Sequence, residues 1–246
     1  MKLVIDNVTK QFGNFSAVDG ISMEMENGVH GLLGLNGAGK TTLMRMICTI
    51  LRPTDGNIRY NGKDVFKMDS AYRSLIGYLP QEFGFYPDFT VLEYLMYISS
   101  LKGLKTVFAK KKAEQLVEMV GLSREKTKKM KHLSGGMKRR TGIAQTMLND
   151  PEILILDEPT SGLDPMERIR FRNLMENLAE DRIILLSTHI VSDIERIAGK
   201  VYIMKEGKLE ASGSVKELCA NVEGNTLEDV FISYFGENGD EINAQI

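Results

Sequence analysis

VHGLLGLNGAGKTTLMRMICTIL, Val29 to Leu51, is the stretch on which the reading of this 246-residue chain turns. Its first residues are a short apolar run of the kind that forms a buried strand. Its last third places Leu43, Met46, Ile47 and Ile50 at helical spacing. Between them, Gly34 to Thr41 reads GLNGAGKT and matches G-x-x-x-x-G-K-[ST], a phosphate-binding loop set between a strand and a helix. Glycines let the backbone wrap an anion, and the helix N-terminus supplies partial positive charge. Gly34, Asn36, Gly37, Ala38 and Gly39 would build the cradle. Lys40 would reach the outer phosphates, Thr41 would ligate Mg²⁺, and Thr42 would add a phosphate contact.

Before and after this stretch the chain speaks in short β-like runs, LVIDNV, ISMEMENG and IRYNGKDV. Asn-Gly pairs at Asn27 and Asn61 predict hairpins there, and Glu206-Gly207 predicts another near the end. From Thr90 to about Leu122 the spacing becomes helical, in VLEYLMYISSL and AEQLVEMVGL. EILILD and RIILLS then return as short continuous apolar runs, the pattern of a parallel sheet covered on both faces. The fold class expected is α/β: a mixed, largely parallel core with an antiparallel β-subdomain and a helical insertion over about residues 84–150. One domain is expected over residues 1–234, followed by an acidic tail over 235–246.

Composition narrows the options. A net charge of -2 gives no global attraction to nucleic acid or anionic lipid. Two cysteines, Cys48 and Cys219, have neither zinc-ligand spacing nor the density of a disulfide framework. No apolar run approaches the roughly 18 residues of a membrane span. A cytosolic chain, or one peripheral to a membrane, is the expectation.

Two further strand ends carry chemistry. EILILDEP puts Asp157 at the carboxyl end of a buried strand, placed to hold the hydration shell of Mg²⁺ beside the loop. Glu158 follows, a second carboxylate able to orient and deprotonate an attacking water. LLSTHI ends another buried strand just before His189, on the same carboxyl edge, suited to a γ-phosphate or water contact. The remaining stretch is LSGGMKRR, Leu133 to Arg140. Ser134 is a plausible N-cap for the helix that follows, and Gly135 and Gly136 permit close backbone approach, so the segment is a second anion site by design.

Taken in order, GLNGAGKTT, LPQEFG with Gln81, LSGGM, ILILDEP, SGLD ending at Asp164, and His189 resemble the ATP-binding subunits of ABC transporters over nearly the whole chain. The tail TLEDVFISYFGE makes the likeness greatest to ABC-2-type exporter ATPases. Met137 departs from the commonest signature, which has Gln there.

The resemblance implies the following roles. ATP and Mg²⁺ are the ligands, with Phe12 on the adenine ring and Phe15 as its substitute. Gln81 senses the metal or the attacking water, Thr41, Gln81 and Asp157 attend the metal, Glu158 acts as general base, and His189 positions the γ-phosphate. Ser134, Gly135, Gly136 and Asp164 serve the nucleotide across a dimer interface, so a second ATP-binding subunit, in a homodimer, completes each site. Integral membrane permease subunits on separate chains, docking near residues 82–101, are the implied partners, at the cytoplasmic face of the membrane. Nucleic acid is not expected. The competing reading is a soluble ABC-type ATPase acting on nucleic acid or ribosomes through the basic segment Arg124 to Arg140. A nucleotide-binding regulator without turnover conflicts with the complete catalytic set.

Overall fold

Alternating apolar residues sort themselves into two sheets in the computed structural model, which describes residues 1–236 apart from 221 and 223. The acidic segment expected at the C-terminus lies outside the described residues from 237 onward. The strands are β1 (Lys2–Phe12), β2 (Phe15–Glu26), β3 (Gly28–Leu33), β4 (Asp55–Tyr60), β5 (Lys63–Asp64), β6 (Ile76–Leu79), β7 (Ile153–Asp157), β8 (Ile183–Thr188), β9 (Lys200–Lys205) and β10 (Lys208–Gly213). An antiparallel sheet runs β2-β1-β4-β5, and a mixed sheet runs β10-β9-β3-β8-β7-β6. In the second, β9 through β6 are parallel and only β10 is reversed.

Strand periodicity explains why the mixed sheet is the centre of the molecule. Leu154 and Leu156 of β7 and Ile184 and Leu186 of β8 point into one apolar cluster. Ile153, Ile155, Ile183 and Leu185 point into the other. Both faces are therefore covered, which is why these strands are uninterrupted apolar runs. Each such side chain contributes about 1.5–3 kcal/mol when fully buried.

Helices cover the sheets and connect them: α1 (Lys40–Ile47), α2 (Val65–Met68), α3 (Ser70–Arg73), α4 (Val91–Leu101), α5 (Thr106–Met119), α6 (Gly135–Thr146), α7 (Pro165–Leu178), α8 (Val191–Ile194), α9 (Val215–Cys219) and α10 (Leu227–Phe235). Between β6 and β7 come α4, α5 and α6 with no strand among them, the helical insertion expected from the spacing. A capping box at Thr90 and Glu93 starts α4 where the periodicity begins. Among the described residues no helix is long and apolar enough to cross a membrane.

Turn chemistry succeeded twice and failed once. Asn61-Gly62 joins β4 to β5, and Glu206-Gly207 joins β9 to β10, each with positive φ at both residues. Asn27-Gly28 is not a hairpin. It passes the chain from β2 in one sheet to β3 in the other, where β3 lies parallel to β8 and β9. The reason is burial: β3 is apolar on both sides and needs two covered faces, which an antiparallel partner in the first sheet would not provide.

Candidate active site

The loop Gly34–Gly39 leaves the carboxyl end of β3 and enters α1. Gly39 caps the helix with φ 100° and no side-chain cap, so the first amides of α1 are left without an internal partner, the arrangement that receives an anion. The loop is pressed against its surroundings. A Cβ on Gly39 would stand 2.3 Å from the Ala17 carbonyl oxygen, and one on Gly34 would stand 2.3 Å from that of Met204. The β9–β10 turn holds it as well, since Gly207 N–H donates to the Ala38 carbonyl at 3.0 Å.

Lys40 is buried at 6 % exposure and donates to the Gly34 and Leu35 carbonyls at 2.6 and 3.1 Å. Burial pushes its ammonium below the ordinary lysine value, and the Glu158 and Asp157 carboxylates oppose that shift. Across the cleft, Thr41 Oγ1 donates to Asp157 Oδ2 at 2.8 Å, and Ser187 Oγ donates to Asp157 Oδ1 at 2.6 Å. The register explains this, because Asp157 and Ser187 are paired across β7 and β8.

Glu158 is the unusual member. It is 4 % exposed and adopts φ 48°, a left-handed conformation rare for a residue with a side chain. Its N–H donates to Ser187 Oγ at 3.0 Å. Neither carboxylate oxygen has a hydrogen-bond partner. Oε1 is 3.7 Å from Lys40 Nζ, and Oε2 is 3.0 Å from His189 Nδ1, a close approach without hydrogen-bond alignment. A buried acceptor pair in this state is chemically equipped to hold and deprotonate a water.

The cleft is lined by Asn36, Gly37, Ala38, Gly39, Lys40, Thr41, Thr42, Gln81, Asp157 and Glu158, together with Phe15 and Ala17. Gly34 forms the loop base, and His189 reaches the cleft through Glu158. Phe12 is not among the lining residues. It pairs with Phe15 across the β1–β2 hairpin, with Lys10 Nζ 5.2 Å above its ring, and Phe15 is the ring that faces the phosphate loop.

Ser134, Gly135, Gly136 and Asp164 do not line this cleft either. Ser134 caps α6, its Oγ accepting from Met137 N–H at 3.1 Å, and Asp164 caps α7, accepting from Glu167 N–H at 2.8 Å. The two capped helix starts are neighbours, since a Cβ on Gly135 would stand 3.9 Å from the Gly162 carbonyl oxygen. Two features escaped the sequence reading. Ser187, which braces both Asp157 and Glu158, lies within LLSTHI beside His189. Arg139 and Arg140, which end the basic segment Arg124 to Arg140 of the competing reading, are buried at 6 % and 8 % exposure and bonded to backbone carbonyls.

Fold and site together define a P-loop ATPase, with phosphate loop, strand-end aspartate and adjacent glutamate on one sheet edge. Comparison with known proteins makes this specific. The family model for the ABC transporter matches residues 18–161. Uncharacterized ABC transporter ATP-binding protein YxlF of Bacillus subtilis is 40% identical over 92% of this chain and 75% of its own length. Nod factor export ATP-binding protein I of Paraburkholderia xenovorans is 37% identical over 92% and 75%. A solved structure of the ATP binding subunit of an ABC transporter superposes with a TM-score of 0.83 at 26% identity, covering 95% of this chain and 99% of that one. The chain belongs to the ABC transporter family and is an ATP-binding, ATP-hydrolysing subunit of it.

Proposed function

We propose that two copies of this chain close head to tail around two ATP molecules, and that hydrolysis drives export of a substrate through membrane subunits carried on separate chains at the cytoplasmic face. The observation that carries the composite site is the position of the capped α6 N-terminus: Ser134, Gly135 and Gly136 are built as an anion site yet lie outside the chain's own phosphate cleft. A two-fold dimer uses both half-sites reciprocally. Export is supported by the named activity of the Nod factor relative.

Within each site, Lys40 and the α1 amides bind phosphate, with Thr42 beside them. Phe15 takes the adenine ring in preference to Phe12, because it borders the loop. The residues present fit Mg²⁺: Thr41 Oγ1 and Asp157 Oδ2 converge as hard oxygen donors, and Gln81 lines the same cleft. Bound there, the ion would neutralise charge on the phosphate oxygens. Glu158 accepts the proton of the attacking water, and His189, against its other oxygen, steadies that water and the γ-phosphate. Asp164 supports the SGLD segment at the dimer seam. Residues 84–150 serve as the helical subdomain, and Phe83 and Phe85, beside Gln81 and Lys138, border a groove suited to a membrane partner.

The test is capture of the Glu158→Gln protein from detergent-solubilised membranes with Mg-ATP, with mass spectrometry of co-purifying chains. A multi-span membrane protein is the expected companion. Ribosomal or nucleic-acid-bound material alone would replace this reading with the soluble ATPase. The buried state of Arg139 and Arg140 argues against that alternative, because it removes two cations from the basic surface it would use.

A further inference from the structure

Arg139 lies in α6, the helix capped by Ser134, and commits every arm of its guanidinium to backbone oxygen. Nε donates to the Pro159 carbonyl at 3.1 Å, and Nη1 donates to those of Pro80 and Gln81 at 3.0 and 2.9 Å. Nη2 donates to the Asp157 carbonyl. These acceptors belong to two segments only, the exits of β6 and β7, and they bracket Gln81 and Glu158. Burial pushes the guanidinium down to about 10, opposed in part by Asp157 and Glu158. A buried cation is tolerated only where its donors are satisfied, and the rigid planar fork fixes geometry in a way that a flexible ammonium does not.

Glu158 needs such an external frame. Beyond the close approaches of Lys40 and His189, no aligned hydrogen bond holds its carboxylate, so its aim depends heavily on its backbone, and that backbone is left-handed. A sparsely populated conformation persists only where its surroundings over-determine it. Ser187 Oγ accepts the Glu158 N–H, and Arg139 holds the carbonyls of Asp157 and Pro159, the residues on either side of it.

We propose that Arg139 is a positioning residue for hydrolysis, clamping the Gln81 backbone to the Asp157–Pro159 segment so that the Glu158 carboxylate stands at a fixed place over the phosphate loop. The inference rests on Glu158 being the general base. Because the fork rides on the helix that begins at Ser134, the site offered to a second copy and the geometry of the chain's own Glu158 share one rigid element.

Arg139→Lys and Arg139→Gln are measured in single-turnover hydrolysis at saturating Mg-ATP, each alone and combined with Glu158→Gln. Each single variant should lose at least about tenfold in rate, in keeping with a small misplacement of a reacting group, while ATP affinity stays within about twofold. Each double variant should be no slower than Glu158→Gln alone, because a clamp acting through Glu158 has nothing left to aim. In nucleotide-free protein, backbone amides at 81–82 and 158 should exchange faster. Unchanged rates in both folded single variants overturn the proposal. So do losses that multiply in the double variants, the signature of a general structural defect. Full turnover in Glu158→Gln alone would strike the base assignment and this inference with it, and which single variant stays active tells the two failures apart.

Discussion

Glu158 Oε2 and His189 Nδ1 stand 3.0 Å apart at the ends of the adjacent strands β7 and β8. The contact places an imidazole against a buried carboxylate that has no hydrogen-bond partner of its own. Glu158→Gln keeps the shape and removes the proton acceptor. Turnover should fall by at least about 10²-fold with ATP binding retained. Steady-state hydrolysis and nucleotide titration check both halves, and undiminished turnover would remove Glu158 from the role of base.

Lys40 is the cation nearest the other Glu158 oxygen, at 3.7 Å. Lys40→Ala should abolish the rise in Tm that ATP gives the parent protein, since stabilisation by a ligand follows its affinity. The parent protein carries a pH signature as well. Burial lowers the Lys40 value in the nucleotide-free fold, and a triphosphate beside it favours the charged form. Binding therefore takes up a proton once the pH passes that lowered value, and affinity falls from there upward, beginning below the ordinary 10.5. Affinity that stays flat up to that pH would contradict the assignment.

Gly37 and Gly39 both hold positive φ, +84° and +100°, but only Gly39 is hemmed in. Gly37→Ala should cost about 1–2 kcal/mol of backbone strain. Gly39→Ala should cost clearly more, because its Cβ would meet backbone oxygen at 2.3 Å. Denaturant unfolding of the two variants compares them directly, and equal losses would mean that the loop is not pinned against Ala17.

Ser134 Oγ accepts the Met137 amide and so occupies the head of α6 in the isolated chain. Ser134→Ala should lower stability by about 0.5–2 kcal/mol, the ordinary value of a helix cap. In the Glu158→Gln background it should also weaken ATP-dependent dimer formation measured by light scattering. A cap that is only structural would lower Tm and leave the dimer intact.

Much of this was legible in order along the chain. Local chemistry suffices for GLNGAGKT, because a loop of glycines before a helix has few uses, and the buried runs at EILILD and RIILLS announce a covered parallel sheet. The Ser134 cap and the helical insertion were equally local, since a cap and its helix are a few residues apart. Asn27-Gly28 shows where local reading ends. Its turn chemistry is the same as that of Asn61-Gly62, and only the demand of β3 for cover on both faces sends the chain into the other sheet.

The sequence by itself determined the phosphate loop, the strand-end acids Asp157 and Glu158 and the elements that carry them, because each is encoded by neighbours within about ten residues, and it determined the family through the order of those motifs along the chain. Tertiary structure alone decided three other matters. Phe15 rather than Phe12 borders the loop, because β2, whose Ala17 carbonyl presses on Gly39, is the strand that runs against it. Ser187 braces Asp157, because β7 and β8 are paired in register. Arg139 is a buried clamp rather than a solvated charge, because carbonyls from residues 80–81 and 157–159 converge on it only after the chain has folded. Which partner a long polar side chain finds depends on contacts distant in sequence, and no local pattern encodes them.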